Sequence, residues 1–73
     1  MNVNGTFGLR LREARRAAGF TQTELAALIE VTQTTISCWE LGETEPNIVK
    51  IRRLARVLKV TVGFLLDAED KAA

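Results

Sequence analysis

Histidine and tyrosine are absent from this 73-residue chain, and cysteine occurs once. One cysteine excludes a disulfide framework within the chain, and without histidine no ligand set at metal-site spacing remains, so no metal is expected. The same gaps leave no nucleophile–base constellation, and so short a chain cannot enclose a deep substrate pocket. An enzyme is therefore rejected, and neither a cofactor nor a small-molecule substrate is expected. No apolar run reaches the length of a bilayer crossing, and no basic stretch followed by an apolar one opens the chain. A cytoplasmic protein without a membrane partner is the expectation.

Cations of one region are missing too. Residues 21–47 hold no Lys or Arg, but carry Glu24, Glu30, Glu40, Glu43 and Glu45, a net of −5. Residues 1–20 set Arg10, Arg12, Arg15 and Arg16 against Glu13, a net of +3, and residues 48–73 have the same surplus. The overall charge of +1 is thus the sum of two basic flanks and an acidic centre. It is not the footprint of a strongly basic nucleic-acid binder.

What is present is helical patterning. With 47% apolar residues the chain should be one small globular domain, near the lower size limit for an unstapled core. Residues 1–5 read as a mobile arm, 6–68 as the domain and 69–73 as a polar tail. Thr6 can cap a helix from Phe7 to about Ala18, with Phe7, Leu11, Ala14 and Ala18 on one stripe. Gly19 suits a left-handed end, and Phe20 drops toward the core. Thr21 with Glu24 makes a capping box, each residue's side chain reaching the other's backbone amide. The helix that follows, Gln22 to about Ile29, buries Leu25, Ala26 and Ile29.

Thr32 caps a helix over 33–41 that turns Ile36 and Trp39 inward. The few residues between these two helices suffice only for a sharp turn. Pro46 and Asn47 then open a helix to about Leu58, with Ile48, Ile51, Leu54, Ala55 and Leu58 as its stripe. Thr61 caps a last short helix, VGFLLDA. Five helices this short cannot hide every apolar side chain. Val49, Val57, Val62, Phe64 and Leu65 are expected to stay partly exposed, and Val62, Phe64 and Leu65 to form a homodimer interface.

The run T-Q-x-E-L-A-x-x-I-x-V-T-Q-x-T-I-S-x-W-E-x-G, over residues 21–42, resembles the helix-turn-helix of the phage Cro and repressor family, also called XRE. The match continues through Gly8-x-x-Leu11-Arg12-x-x-Arg15-x-x-x-Gly19 before it and Pro46 to Leu66 after it. The resemblance implies an all-α, five-helix, lambda-repressor-like domain with its helix-turn-helix at the second and third helices. It also implies sequence-specific binding of double-stranded DNA by a small transcriptional regulator, working as a dimer on a palindromic site.

Carried over residue by residue, the resemblance puts the helix 33–41 in the major groove. Gln33 would meet an adenine, donating and accepting at once, with Thr34, Thr35, Ser37 and Cys38 along the exposed side. Gln22 and Asn47, each near a helix N-terminus, would face phosphates. Arg15 and Glu40 would pair as a structural lock rather than touch DNA. Glu30 and Lys59 stand where the family has glycine, which costs on the order of 1 kcal/mol each if the backbone there is left-handed. The competing reading is a protein-interaction module of the same fold, favoured by the acidic centre.

Overall fold

The computed structural model describes residues 3–66, with side chains from Thr6 onward. Five helices and no strand lie among them: α1 (Val3–Ala17), α2 (Gln22–Ile29), α3 (Gln33–Leu41), α4 (Ile48–Leu58) and α5 (Val62–Leu66). Met1, Asn2, the end of the domain at residues 67–68 and the polar tail at 69–73 lie outside the described residues.

Local chemistry sets most of the helix ends. The capping box at Thr21 is closed in both directions, with Glu24 N–H donating to Thr21 Oγ1 at 3.0 Å and Thr21 N–H to Glu24 Oε1 at 2.9 Å. Thr32 Oγ1 accepts from Thr35 N–H at 3.1 Å, Asn47 Oδ1 from Lys50 N–H at 2.9 Å, and Thr61 Oγ1 from Phe64 N–H at 2.9 Å. Each satisfies an amide that the helix itself cannot. At the other ends the chain turns left-handed. Gly19 and Gly42 do so at φ 83° and 81°, and the non-glycine residues Glu30 and Lys59 at φ 64° and 60°. Glu30 closes α2, and the N–H of Val31 reaches back to Ala26 O at 2.9 Å.

The core draws on every helix. Phe7, Leu11 and Ala14 of α1 meet Leu25, Ala26 and Ile29 of α2, Ile36 and Trp39 of α3, and Ile51, Leu54, Ala55 and Leu58 of α4. Phe20 is half-buried against this cluster. Gly8 sets how near α1 comes to α3. A Cβ at Gly8 would lie 2.4 Å from the Glu40 carbonyl oxygen and 2.7 Å from that of Trp39, so only hydrogen fits there.

Four expectations need correction. α1 begins at Val3, ahead of Thr6, so Thr6 lies within its first turns and is not its N-cap; the sequence before it has no proline to keep the helix from starting earlier. Ala18 is exposed, because the chain leaves α1 for the left-handed Gly19 just beyond its last packed turn. Ile48 is 49% exposed, since the buried side chain where α4 starts is Pro46. Leu65 is wholly buried: α5 packs against α1 and α4, and Leu65 points into that junction. Leu65 therefore belongs to the core and not to an exposed dimer face.

Candidate nucleic-acid interface

α3 is amphipathic in an unequal way. Ile36, Trp39 and Glu40 are buried, while Gln33 and Thr34 at its opening are exposed and Ser37 and Cys38 half-buried. Burying a carboxylate needs a partner. Arg15 supplies it, with Nε donating to Glu40 Oε2 at 2.6 Å and Nη2 to Oε1 at 3.2 Å, side chains 10% and 4% exposed. The third donor, Nη1, reaches Phe20 O at 2.9 Å and ties the end of α1 into the same knot. This bidentate geometry fixes both planes, which a lysine would not do.

The network then runs outward. Gln22 Nε2 donates to Glu40 Oε1 at 3.0 Å, and Gln22 Oε1 accepts from Gln33 Nε2 at 2.6 Å. Gln22 and Gln33 each open their helix, so the turn between α2 and α3 brings two equivalent positions side by side. A planar amide held at one N–H keeps its second N–H and its carbonyl oxygen for an outside partner. Gln33 is therefore aimed, through Gln22, by a buried ion pair.

The other candidates stand apart from this relay. Thr34 is exposed beside Gln33. The Thr35 hydroxyl lies 2.9 Å from that of Thr32 and joins the cap of α3. Cys38 shares a hydrogen bond with Glu43, and that bond, followed by desolvation and the Glu43 charge, pushes its thiol above the ordinary value. Asn47 spends its carbonyl oxygen on capping α4 and makes no bond to the relay. Val62 and Phe64 are half-buried, with Arg10 lying over the Phe64 ring at 4.8 Å.

Reading the residues alone misses two features. One is the double duty of Gln22, which holds Gln33 as well as facing outward. Its signal was the matching place of the two glutamines at N1 of consecutive helices. The other is a cleft of about 250 Å³ where Arg12 and Arg16 of α1 face Gln22 of α2 and Ser37 and Leu41 of α3. The i, i+4 spacing of those arginines was visible in the sequence, and only the crossing of α1 and α3 shows what they overlook. Among the described residues no group of histidine, cysteine or carboxylate side chains is placed to hold a metal, and no helix is long and apolar enough to cross a membrane.

Two short helices joined by a left-handed turn, the second presenting its opening residues outward, define a helix-turn-helix protein of five-helix repressor type. The chain belongs to the helix-turn-helix family whose model matches residues 11–65. It is 42% identical, over 65 residues, to an uncharacterized HTH-type transcriptional regulator of Methanothermobacter thermautotrophicus, covering 85% of this chain and 93% of that one. Among solved structures it resembles the restriction-modification controller protein C.AhdI from Aeromonas hydrophila, with a TM-score of 0.79 and 34% identity, covering 85% and 90% of the two chains. It also resembles the c2 repressor protein of Salmonella phage P22 in complex with a synthetic operator, with a TM-score of 0.80 and 32% identity, covering 85% and 94%. Against several other curated transcriptional regulators the chain spans only 31% to 56% of their length.

Proposed function

We propose that this chain is a sequence-specific regulator that binds double-stranded DNA, with α3 in the major groove. One observation carries the reading. The exposed amide of Gln33 is held at 2.6 Å by Gln22, and Gln22 at 3.0 Å by the buried Glu40. A side chain so fixed loses little further freedom on binding, and its free N–H and C=O match N7 and N6 of adenine. Such a bidentate pair discriminates by about 1–3 kcal/mol. Thr34 lies beside it for a thymine methyl or a phosphate. Gln22, Asn47, Thr35, Ser37 and Cys38 serve around it as lesser contacts.

Two-fold pairing is part of the proposal. One reading head with so few cations binds weakly, and two heads about 34 Å apart would meet successive major-groove faces of a palindrome. Val62 and Phe64 supply the apolar area for that contact. The likeness to the P22 c2 repressor favours repression as the mode of regulation, although another relative, BcrR of Enterococcus faecalis, is a transcriptional activator, and a cytoplasmic location belongs to the same reading.

Selection of sites from random duplexes with the wild-type chain, followed by anisotropy titration of Gln33→Ala, tests the assignment. We expect the variant to lose roughly 5- to 150-fold on the selected site, the equivalent of about 1–3 kcal/mol, and little on unselected DNA. Unchanged preference would remove Gln33 from the interface. The net of −5 over residues 21–47 favours a second reading, a protein-binding module of the same fold. Absence of retention on genomic DNA at low salt, with capture of a defined protein partner, would support that one instead.

A further inference from the structure

The acidic motif poses a problem of attraction. Glu40 neutralises Arg15, and the exposed Glu43 and Glu45 carry no cationic partner among the described residues. A duplex approaching α3 therefore meets neutral amides in front and carboxylates toward the loop after it. Non-specific affinity comes mainly from neutralised phosphates. The cations that supply it must lie elsewhere.

Arg12 and Arg16 occupy consecutive turns on one face of α1, and both are exposed. Neither has a carboxylate within ion-pair distance among the described residues, although Glu13 lines the shallow surface on their far side. Like charges at this spacing repel, a defect that a shared anion would remove. The same two side chains wall one side of a cleft that Gln22, Ser37 and Leu41 line on the other, with the Arg15–Glu40 pair between them, its carboxylate already engaged by Arg15 and Gln22. At its α2 edge, the capping box engages only the Glu24 amide, and Leu25 bonds Thr21 O. The amides of Gln22 and Thr23 are left facing the electropositive end of α2. Two guanidinium forks, a helix opening and a serine hydroxyl thus converge beside the residue that steadies Gln33.

We infer that Arg12 and Arg16 together clamp one backbone phosphate of the duplex, fixing the approach of α3 from the α1 side. This rests on the DNA-binding reading above. It deepens it by dividing the work: Gln33 senses bases, while α1 and not the motif provides attraction. The two arginines then carry no sequence information, so their loss weakens all duplexes alike.

The experiment is a salt titration of the full chain, by anisotropy from about 50 to 300 mM salt. It uses one duplex selected by the wild type and one unselected duplex of equal length. The R12Q/R16Q variant should show a slope of log K against log salt shallower by about 0.9, the value for one phosphate. Its fold-loss should be equal on both duplexes, while R12K/R16K should keep the wild-type slope. An unaltered slope in R12Q/R16Q overturns the clamp and leaves the Gln33 reading standing. So does a loss confined to the selected duplex, which would make the arginines readers of sequence. If the wild type binds neither duplex, both inferences fall together. Should the double variant fail to fold, R12Q and R16Q singly must each lower the slope, and failure of both to do so is equally decisive.

Discussion

The helix-turn-helix, α2 with α3, and the frame that carries it, α1 with α4, solve the same problem of exposed polarity with opposite materials. The motif has no cation and relies on amides, hydroxyls and carboxylates. The frame carries Arg10, Arg12, Arg15, Arg16, Lys50, Arg52, Arg53, Arg56 and Lys59. Among the described residues a single buried ion pair crosses between them, the bidentate one from Arg15 to Glu40. Its neighbour in sequence, Arg16, is exposed and unpaired with any described carboxylate. Adjacent residues of identical chemistry thus hold different posts, one inside the joint and one on the surface. The lesson is that charge in this molecule is sorted by helix: orientation is given to neutral groups and attraction to the frame.

Cutting the joint should have the largest effect. Glu40→Ala leaves the Arg15 guanidinium buried without a counter-charge and Gln22 without its acceptor. A loss of about 3–5 kcal/mol is expected in urea unfolding, a large part of the stability of so small a domain. Arg16→Gln, one residue from the other partner, should move stability by no more than about 0.5 kcal/mol. Replacing both partners together, with Arg15→Met and Glu40→Leu, should cost less than Glu40→Ala alone. Equal losses for Arg15→Ala and Arg16→Ala would erase the contrast between the two posts.

The outer end of the relay comes next in size. Gln33→Ala should spare the fold and reduce only discrimination, by the margin given above. The two ends are separable because stability and preference are read by different measurements. A Gln33→Ala chain that unfolds more easily by over 1 kcal/mol would mean that the amide chain supports the fold and not the reading head.

How much of this was legible in the residues depends on how local the cause is. The bounds of α2, α3 and α4 follow from Thr21 with Glu24, Thr32 and Asn47, because a cap acts over three residues and needs nothing from the rest of the molecule. The stripe Ile51, Leu54, Ala55 and Leu58 was equally readable. Where the stripe stops was not: periodicity treats Ile48 like Ile51, and only packing shows that Pro46 takes the buried place. Leu65 escapes the pattern for the same reason in reverse, since a five-residue helix has too little periodicity to show which side is covered. Ion pairs lie further from reach. Nothing in the spacing of Arg12, Arg15 and Arg16 says which one is buried; family resemblance pointed to Arg15, and the crossing at Gly8 is what puts it opposite Glu40. The Gln22–Gln33 bond depends on the angle between two helices, which no single helix specifies.

The left-handed residues allow a smaller test in both regions at once. Glu30 ends a helix of the motif and Lys59 one of the frame, at φ 64° and 60°. A side chain there costs about 1–2 kcal/mol, and glycine returns about 0.5–1 kcal/mol of that through its freer unfolded chain. Glu30→Gly and Lys59→Gly should each raise stability by about 0.5–1 kcal/mol, or a few degrees in Tm. The exposed contact from Arg53 to Glu30, at 4.0 Å, should subtract little from the first. If only Lys59→Gly gains, the turn of the motif is held in place by something other than local strain.

The smallest effect probes the acidity of the motif directly. The hydrogen bond to Glu43, then desolvation and the Glu43 charge, raise the pKa of Cys38 above its ordinary value. Cys38 also lies in the last turns of α3, where the helix end is itself electronegative. A raised pKa means that the thiol keeps its proton to higher pH, so the reactive thiolate appears later as pH rises. The pH midpoint for reaction of the folded chain with iodoacetamide should therefore lie above that of the urea-unfolded chain, and Glu43→Gln should bring it down. Folding at neutral pH should be unaffected, because the thiol is protonated in both forms. A midpoint at or below that of the unfolded chain would show a cation near α3, and the separation of charge between motif and frame would be less complete than the comparison requires.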